Sequence, residues 1–349
     1  MPRPSWDKTR YAARKSNLHA RARILKAIRT YFDDEGFLEV ETPILQVSPG
    51  IDRHIRPIKA SVAGAFTAPH MNRFLHTSPE FAMKKLLAAG ERRIFQICHV
   101  FRDHEDGPLH HPEFTMLEWY RAGASYESLI EDVQALALLA ANASSAKQFK
   151  YQGVAVSIEK TWKKLSIAEA FSVYAGIDLL AQVEGDGAEK TGSFLSAARQ
   201  SGVRCEDTDS WDNIFHRVML EKVEPALKKG PPIFLYDYPA PVGALARHKP
   251  QDPRVCERVE AYACGVELAN GFSELTDAED QRQRFERDRS VFETQYGTQL
   301  PIDEDFLMAL ASVPPSAGMA LGIDRLAMLL TGAGQVKDVM WSAVDLVRD

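Results

Sequence analysis

Two stretches of this chain concentrate side chains able to do chemistry. The first, RDHEDGPLHHPEFTMLEWY from Arg102 to Tyr120, sets an arginine and the histidines His110 and His111 ahead of Phe114, Glu118 and Tyr120. Arginine and histidine can hold an anion, and Phe114 offers a flat face to a base. In a strand, alternate side chains share a face, so Phe114, Met116, Glu118 and Tyr120 line up together with Thr115, Leu117 and Trp119 opposite. The second stretch, RVEAYACGVELANGFSE from Arg258 to Glu274, spaces Glu260, Glu267 and Glu274 seven residues apart. Carboxylates gathered on a sheet repel unless a cation lies among them, and Mg²⁺ shared with nucleotide phosphates meets that need. An exposed acidic edge is the alternative reading.

The elements that must position these groups can be read around them. An apolar run ending at Phe101, a polar turn with Gly107 and Pro108, and the run from Glu113 predict a β-hairpin with a long loop. Gly265 and the turn dipeptide Asn270-Gly271 argue against a helix over 258–274 and predict two strands and a turn. GMALGIDRLAMLL, from Gly318 to Leu330, reads as strand, tight turn and helix; Gly322 lets the backbone approach a ligand and Arg325 emerges where anions are favoured. In HTSPE, Ser78 fits a helix N-cap, Pro79 the first helical position and Glu80 the positive helix end. Asn17 caps an expected helix to about Asp34, stopped by Gly36. FLEVETPIL follows as an alternating strand with Leu38, Val40 and Thr42 on one face until Pro43 ends the ladder. Helices are expected at about Tyr126 to Asn142, Ser166 to Tyr174 and Trp211 to Lys229, with a Gly- and charge-rich loop over 183–193 and a strand in PPIFLYDYPAP.

Arginine ending a strand, then HPEFTMLEWY, resembles motif 2 of the class II aminoacyl-tRNA synthetases, in the version carried by lysyl-tRNA synthetases. The helix, Gly36, strand and Pro43 resemble motif 1, the dimer interface. ALGIDRLAM resembles motif 3, and GVELANGFSEL resembles the lysine-specific signature. The resemblance spans residues 18 to 330 and implies an α+β fold, an antiparallel sheet flanked by helices. It implies a catalytic domain over 18–349 behind a tail at 1–17, with a variable insertion at about 122–230. It implies ATP bound by Arg102, Asp103, His104, His111, Phe114, Glu267, Leu268, Gly322 and Arg325, with Phe114 and Arg325 enclosing adenine and Arg102 and Arg325 catalytic. Mg²⁺ falls to Glu260 and Glu267. An amino acid falls to Ser78, Pro79, Glu80, Glu118, Tyr120, Glu274 and Ala320.

The reaction implied is attack of an amino-acid carboxylate on the ATP α-phosphorus. Carboxylates around a side-chain ammonium select a diamino acid, because an apolar competitor leaves buried charge unpaired. About 16 residues precede the first helix, too few for an anticodon-binding barrel. That likens the chain to free-standing synthetase relatives that join (R)-β-lysine to a lysine of elongation factor P, and makes tRNA an unexpected acceptor. Ser78 stands where lysyl-tRNA synthetases have Ala, and Ala320 where they have Gly, which would reshape the pocket floor for an amine on the β carbon. FRDH replaces FRxE, with His104 in the Glu position and Glu105 next, and HHPEF replaces HNPEF. A truncated lysyl-tRNA synthetase or a tRNA- or amino-acid-modifying paralogue, and an inactive, regulatory synthetase-like protein, are the alternatives.

With 349 residues, 45% hydrophobic and 26% charged, the chain has the composition of a globular protein with a sizeable core. A formal charge of −6 argues against general DNA or RNA coating. Cys98, Cys205, Cys256 and Cys264 show no zinc spacing and read as reduced, mostly buried thiols. No apolar leader or membrane-spanning run is present in the sequence, which predicts a cytoplasmic location.

Overall fold

The computed structural model describes residues 5–63, 71–158 and 161–343. Helix α1 (Lys8–Asp34) opens the chain, capped by Asp7, whose carboxylate accepts from the backbone N–H of Thr9 and Arg10. Asn17 therefore lies inside a helix that begins well before the expected start. The signal overlooked was an Asp-initiated turn of weakly amphipathic residues.

Short strands follow: β1 (Leu38–Glu39), β2 (Leu45–Gln46), β3 (Lys59–Val62) and β4 (Met71–Leu75), with β2, β4 and β3 forming a small sheet. The expected continuous strand over FLEVETPIL is broken because the Gln96 side chain accepts the Thr42 N–H at 3.1 Å and takes the place of a ladder partner. Helix α2 is Glu80–Ala88, followed by the hairpin of β5 (Arg93–Phe101) and β6 (Glu113–Ala122) and by α3 (Tyr126–Ser144). A β-ribbon of β7 (Gln148–Tyr151) and β8 (Val154–Ser157) and the strand β9 (Lys163–Ser166) lead into α4 (Ile167–Ala175), α5 (Thr191–Gln200), α6 (Trp211–Val218), a π-helical turn (Met219–Val223) and α7 (Glu224–Leu227). The chain returns through β10 (Ile233–Pro239), β11 (His248–Lys249), β12 (Asp252–Ala263) and β13 (Val266–Ser273). It ends with α8 (Ala278–Tyr296), α9 (Glu304–Leu310), β14 (Ser316–Gly322) and α10 (Ile323–Thr331).

The main sheet runs β1-β5-β6-β14-β13-β12-β10-β9, with β11 beside β12. Its pairs are antiparallel except β1 with β5 and β10 with β9. One face, with Leu117, Trp119, Ala317 and Leu321, packs against α1, α3 and α10 around the aromatic stack of Phe32 and Phe95. Helix α3 thus belongs to the central core, although it falls within the expected insertion. A second cluster, built from Phe171, Phe194, Trp211 and Phe215, covers the β10 end of the sheet. The opposite face carries the site, and its Ile94 and Tyr120 end packs against α2, α8 and α9.

Register dictates which side chains meet there. Gln96, Glu118, Ala320, Asn270 and Glu260 face one another across successive strands, and Ile94, Tyr120, Gly318, Phe272 and Arg258 form the next row. Residues two apart share a face, so these rows lie side by side.

Candidate active site

A β-bulge completes the acidic set. Ala261 pairs with Ala269, but Tyr262 pairs with Glu267, so one extra residue on β13 shifts the alternation. Glu267 is thereby re-aimed to the face that carries Glu260 and Asn270. The turn itself is Cys264-Gly265, both with positive φ (54° and 74°). Asn270-Gly271, expected as the turn, lies mid-strand, where a Cβ on Gly271 would press on the Gly318 carbonyl and Met319.

Two cavities open on this face. The smaller, about 160 Å³, is lined by Ser78, Pro79, Glu80, Glu118, Tyr120, Glu274 and Ala320, all expected there, and by Arg102. Glu118 accepts from the Ser78 hydroxyl and, at 2.9 Å, from the Tyr120 hydroxyl. The Ser78 Oγ also accepts the Glu80 N–H at 3.0 Å, so it works one residue before the helix cap proper, which is Pro79. Lys84 is wholly buried and pairs with Glu80 at 2.5 Å and with Glu274. Burial, reinforced by the neighbouring Glu80, pushes the Glu118 carboxyl up to about 7. Burial pushes Glu274 up to about 8 despite Lys84 beside it, while the flanking carboxylates hold Lys84 charged and raise its pKa. Glu274 Oε2 is taken by the Lys84 ammonium, whereas Oε1 is buried without a partner. A buried acceptor left in this state calls for a donor from a bound molecule.

Gly318 lets this pocket exist. A Cβ there would overlap the Tyr120 ring and Glu274 Oε1. Gly322, the glycine expected to grant close approach, has only the Arg325 side chain nearby at 3.8 Å.

The larger cavity, about 890 Å³, is lined by Arg102, His111, Phe114, Glu260, Glu267, Leu268, Gly322 and Arg325 from the expected set. Arg102 lies over the Phe114 ring at 5.2 Å, and its Nε is buried without a partner. It is Arg102 that stands over Phe114 here; Arg325 instead donates to the Glu267 carbonyl at 3.0 Å and carboxylate at 3.2 Å. Arg325 also contacts His110 Nε2 at 2.8 Å. Burial and the adjacent Arg325 lower the His110 pKa, so the neutral ring accepts. His111 is buried, its Nδ1 2.7 Å from the Glu113 carbonyl.

Asp103 and His104 line neither cavity. His104 takes a left-handed backbone (φ 61°), and the next residue, Glu105, reaches the cavity wall in its stead. A carboxylate thus stands at the cavity wall one position after His104.

Glu260 accepts from the Tyr238 and Tyr262 hydroxyls, both at 2.6 Å, and from Arg258 at 2.7 Å. Its metal-binding capacity is thus narrowed to a remaining lone pair, whereas Glu267 is the more open of the two. Burial and the charge on Glu260 raise the Glu267 pKa. Glu224, in α7, faces the same pair, and burial with their charges pushes it up to about 7. Carboxylates gathered in this way fit a divalent cation. Glu224, Arg258, Tyr238 and Lys84 escaped sequence reasoning; Lys84 had one available signal, its i,i+4 spacing from Glu80.

The positions of Arg325 and β6 are fixed from behind. Arg21 pairs with Asp324 and donates to Thr115 Oγ1 at 2.7 Å, and Asp324 Oδ2 accepts the Thr115 N–H at 2.7 Å. This buried network ties α1, β6 and the start of α10 together.

An antiparallel sheet presenting an arginine beside a nucleotide-sized cavity, with an acidic amine pocket adjoining it, is the arrangement of a class II synthetase catalytic domain. The chain belongs to the family of tRNA synthetases class II (D, K and N), which matches residues 4–342. It is 40% identical over 333 residues to a Haemophilus influenzae (strain PittGG) protein named elongation factor P--(R)-beta-lysine ligase, covering 94% of this chain and 95% of the relative. A Sodalis glossinidius (strain morsitans) protein of the same name is 40% identical, with 95% of each chain covered. One from Pectobacterium carotovorum (strain PC1) is 39% identical, with 98% of each covered.

Proposed function

We propose that the chain is an ATP-dependent ligase that activates (R)-β-lysine, or a lysine-like diamino acid, and transfers it to a lysine side chain of elongation factor P. The observation that carries this reading is the small pocket in which Glu80, Glu118 and Glu274 share a single lysine. Two carboxylate charges are left for two substrate ammonium groups. The names of the relatives supply the acceptor.

The substrate carboxylate is already ionised at neutral pH, so no general base is needed for its attack on the α-phosphorus. Arg102, which borders both cavities, would align that carboxylate with the phosphate and stabilise the charge that develops as pyrophosphate leaves. Phe114 would stack on adenine, and Arg325 would cover its other side after exchanging Glu267 for the nucleotide. Glu267, with Glu260 and Glu224, would hold Mg²⁺, which when bound neutralises phosphate charge. In the second half-reaction the acceptor amine attacks the acyl carbonyl and AMP departs.

We also propose a homodimer through the motif 1 region. Leu38, Ile44, Leu45, Val47 and Met71 are exposed (38–52%) on β1, β2 and β4 and next to them, an apolar surface suited to a partner copy.

The test is the intact mass of elongation factor P, run beside charging of lysine tRNA, after incubation with MgATP and (R)-β-lysine or lysine. A lysyl-sized mass gain with uncharged tRNA is expected. Charged tRNA with unmodified protein would make the chain a tRNA synthetase instead.

A further inference from the structure

His54, Asp212 and His216 meet at the larger cavity, which Glu260 and Glu267 also line. One potential ligand atom from each lies within 4.8 Å of the others. His54 Nε2 contacts Asp212 Oδ2, and His216 Nε2 lies 3.4 Å from Oδ1. Asp212 and His216 are an i,i+4 pair on α6, the spacing by which one helix face supplies two ligands, and His54 comes from the loop before β3.

The surroundings are acidic. Asp52, Glu189 and Asp288 accompany Asp212 in the electrostatic neighbourhood of Arg53, which pairs with Asp288 at 2.5 Å and approaches Asp212 at 3.9 Å. Arg287 is the other guanidinium there. Four carboxylates against two guanidiniums leave room for a dication.

We propose that His54, Asp212 and His216 bind a transition-metal dication of the Zn²⁺ type. Two imidazoles with one carboxylate favour such an ion over Mg²⁺, which prefers oxygen alone. Ligand atoms around a tetrahedral Zn²⁺ stand about 3.4 Å apart, so the described positions need only small side-chain rotations. The half-exposed histidines leave the fourth position to water. Because α6 belongs to the second core cluster and His54 to the loop before β3, the ion would tie these two segments together beside the cavity. This assignment does not rest on the reaction proposed above.

The experiment is titration of metal-stripped full-length protein with Co²⁺, followed by its visible d–d absorption and displaced with Zn²⁺. One equivalent of tetrahedral Co²⁺ is expected, with affinity lowered on the order of 100-fold or more in H54A and in H216A. Metal-free melting curves check folding, and the more exposed H216A decides alone if H54A is unstable. No d–d bands, or bands undiminished in H216A, would overturn the assignment.

Discussion

Lys84 sets the resting charge of the amine pocket. With 0% of its side chain exposed and Glu80 and Glu274 both against it, its removal leaves two carboxylates without their cation. Breaking a buried pair in this way costs roughly 3–5 kcal/mol. Lys84→Met should therefore lower the melting temperature markedly, and millimolar lysine should recover more of the loss than it adds to the parent protein. An equal ligand-induced shift in both proteins would refute that charge count. Arg102→Ala should abolish ATP–pyrophosphate exchange while changing unfolding by no more than about 1 kcal/mol, because the Arg102 Nε has no partner to lose and its contact over Phe114 is a weak one. Retained exchange would remove Arg102 from the chemistry. Glu118 and Glu274 titrate near 7 and 8, above ordinary carboxylates. Their elevation makes the ligand-free protein progressively less stable as pH rises from the usual carboxylate range through about 8. Substrate ammonium needs them ionised, so kcat/KM for the amino acid should climb with pH across the same window, read at saturating MgATP. A flat profile from pH 6 to 8 would argue against both roles. At this scale the sequence was most legible where local alternation operates: Phe114, Glu118 and Tyr120 share the face that their spacing predicted. Glu224 was not legible, since it gains its meaning from carboxylates distant in the chain, and Lys84 showed only its spacing from Glu80 and not its contact with Glu274.

Among the elements, the hairpin of β5 and β6 and the strand-to-helix unit of β14 and α10 follow directly from their apolar patterns and punctuation. Elements held mainly by tertiary contacts were harder to read. Helix α5 begins inside the stretch expected to be loop, because Phe194 and Ala198 bury against Trp211 rather than because its sequence is strongly helical. The bulge at Glu267 was equally invisible, as only the pairing with β12 creates it. The α1–β6–α10 network gives a test at this level. Asp324→Asn removes the charge that Arg21 is buried against, and should cost on the order of 3 kcal/mol in urea unfolding. Exchange activity should fall with it, since Arg325 is the neighbouring residue. A stability change within about 0.5 kcal/mol, the range of ordinary surface substitutions, would show that the network carries little.

For the whole molecule, the exposed apolar surface around β1, β2 and β4 predicts assembly. Val47→Glu with Leu45→Glu should halve the mass measured by light scattering; a parent protein that is already monomeric would refute the dimer. The acidic amine pocket, for its part, draws on Glu118, Glu274 and Gly318, which meet only after β6, β13 and β14 have paired across the sheet. Such long-range pairing has high contact order, and folding of this kind is slow. The pocket is consequently among the last features to form. Refolding from urea should show helical circular dichroism recovering first and lysine binding appearing only with the slowest phase, so a nascent chain gains specificity for its substrate only once its C-terminal strand has docked.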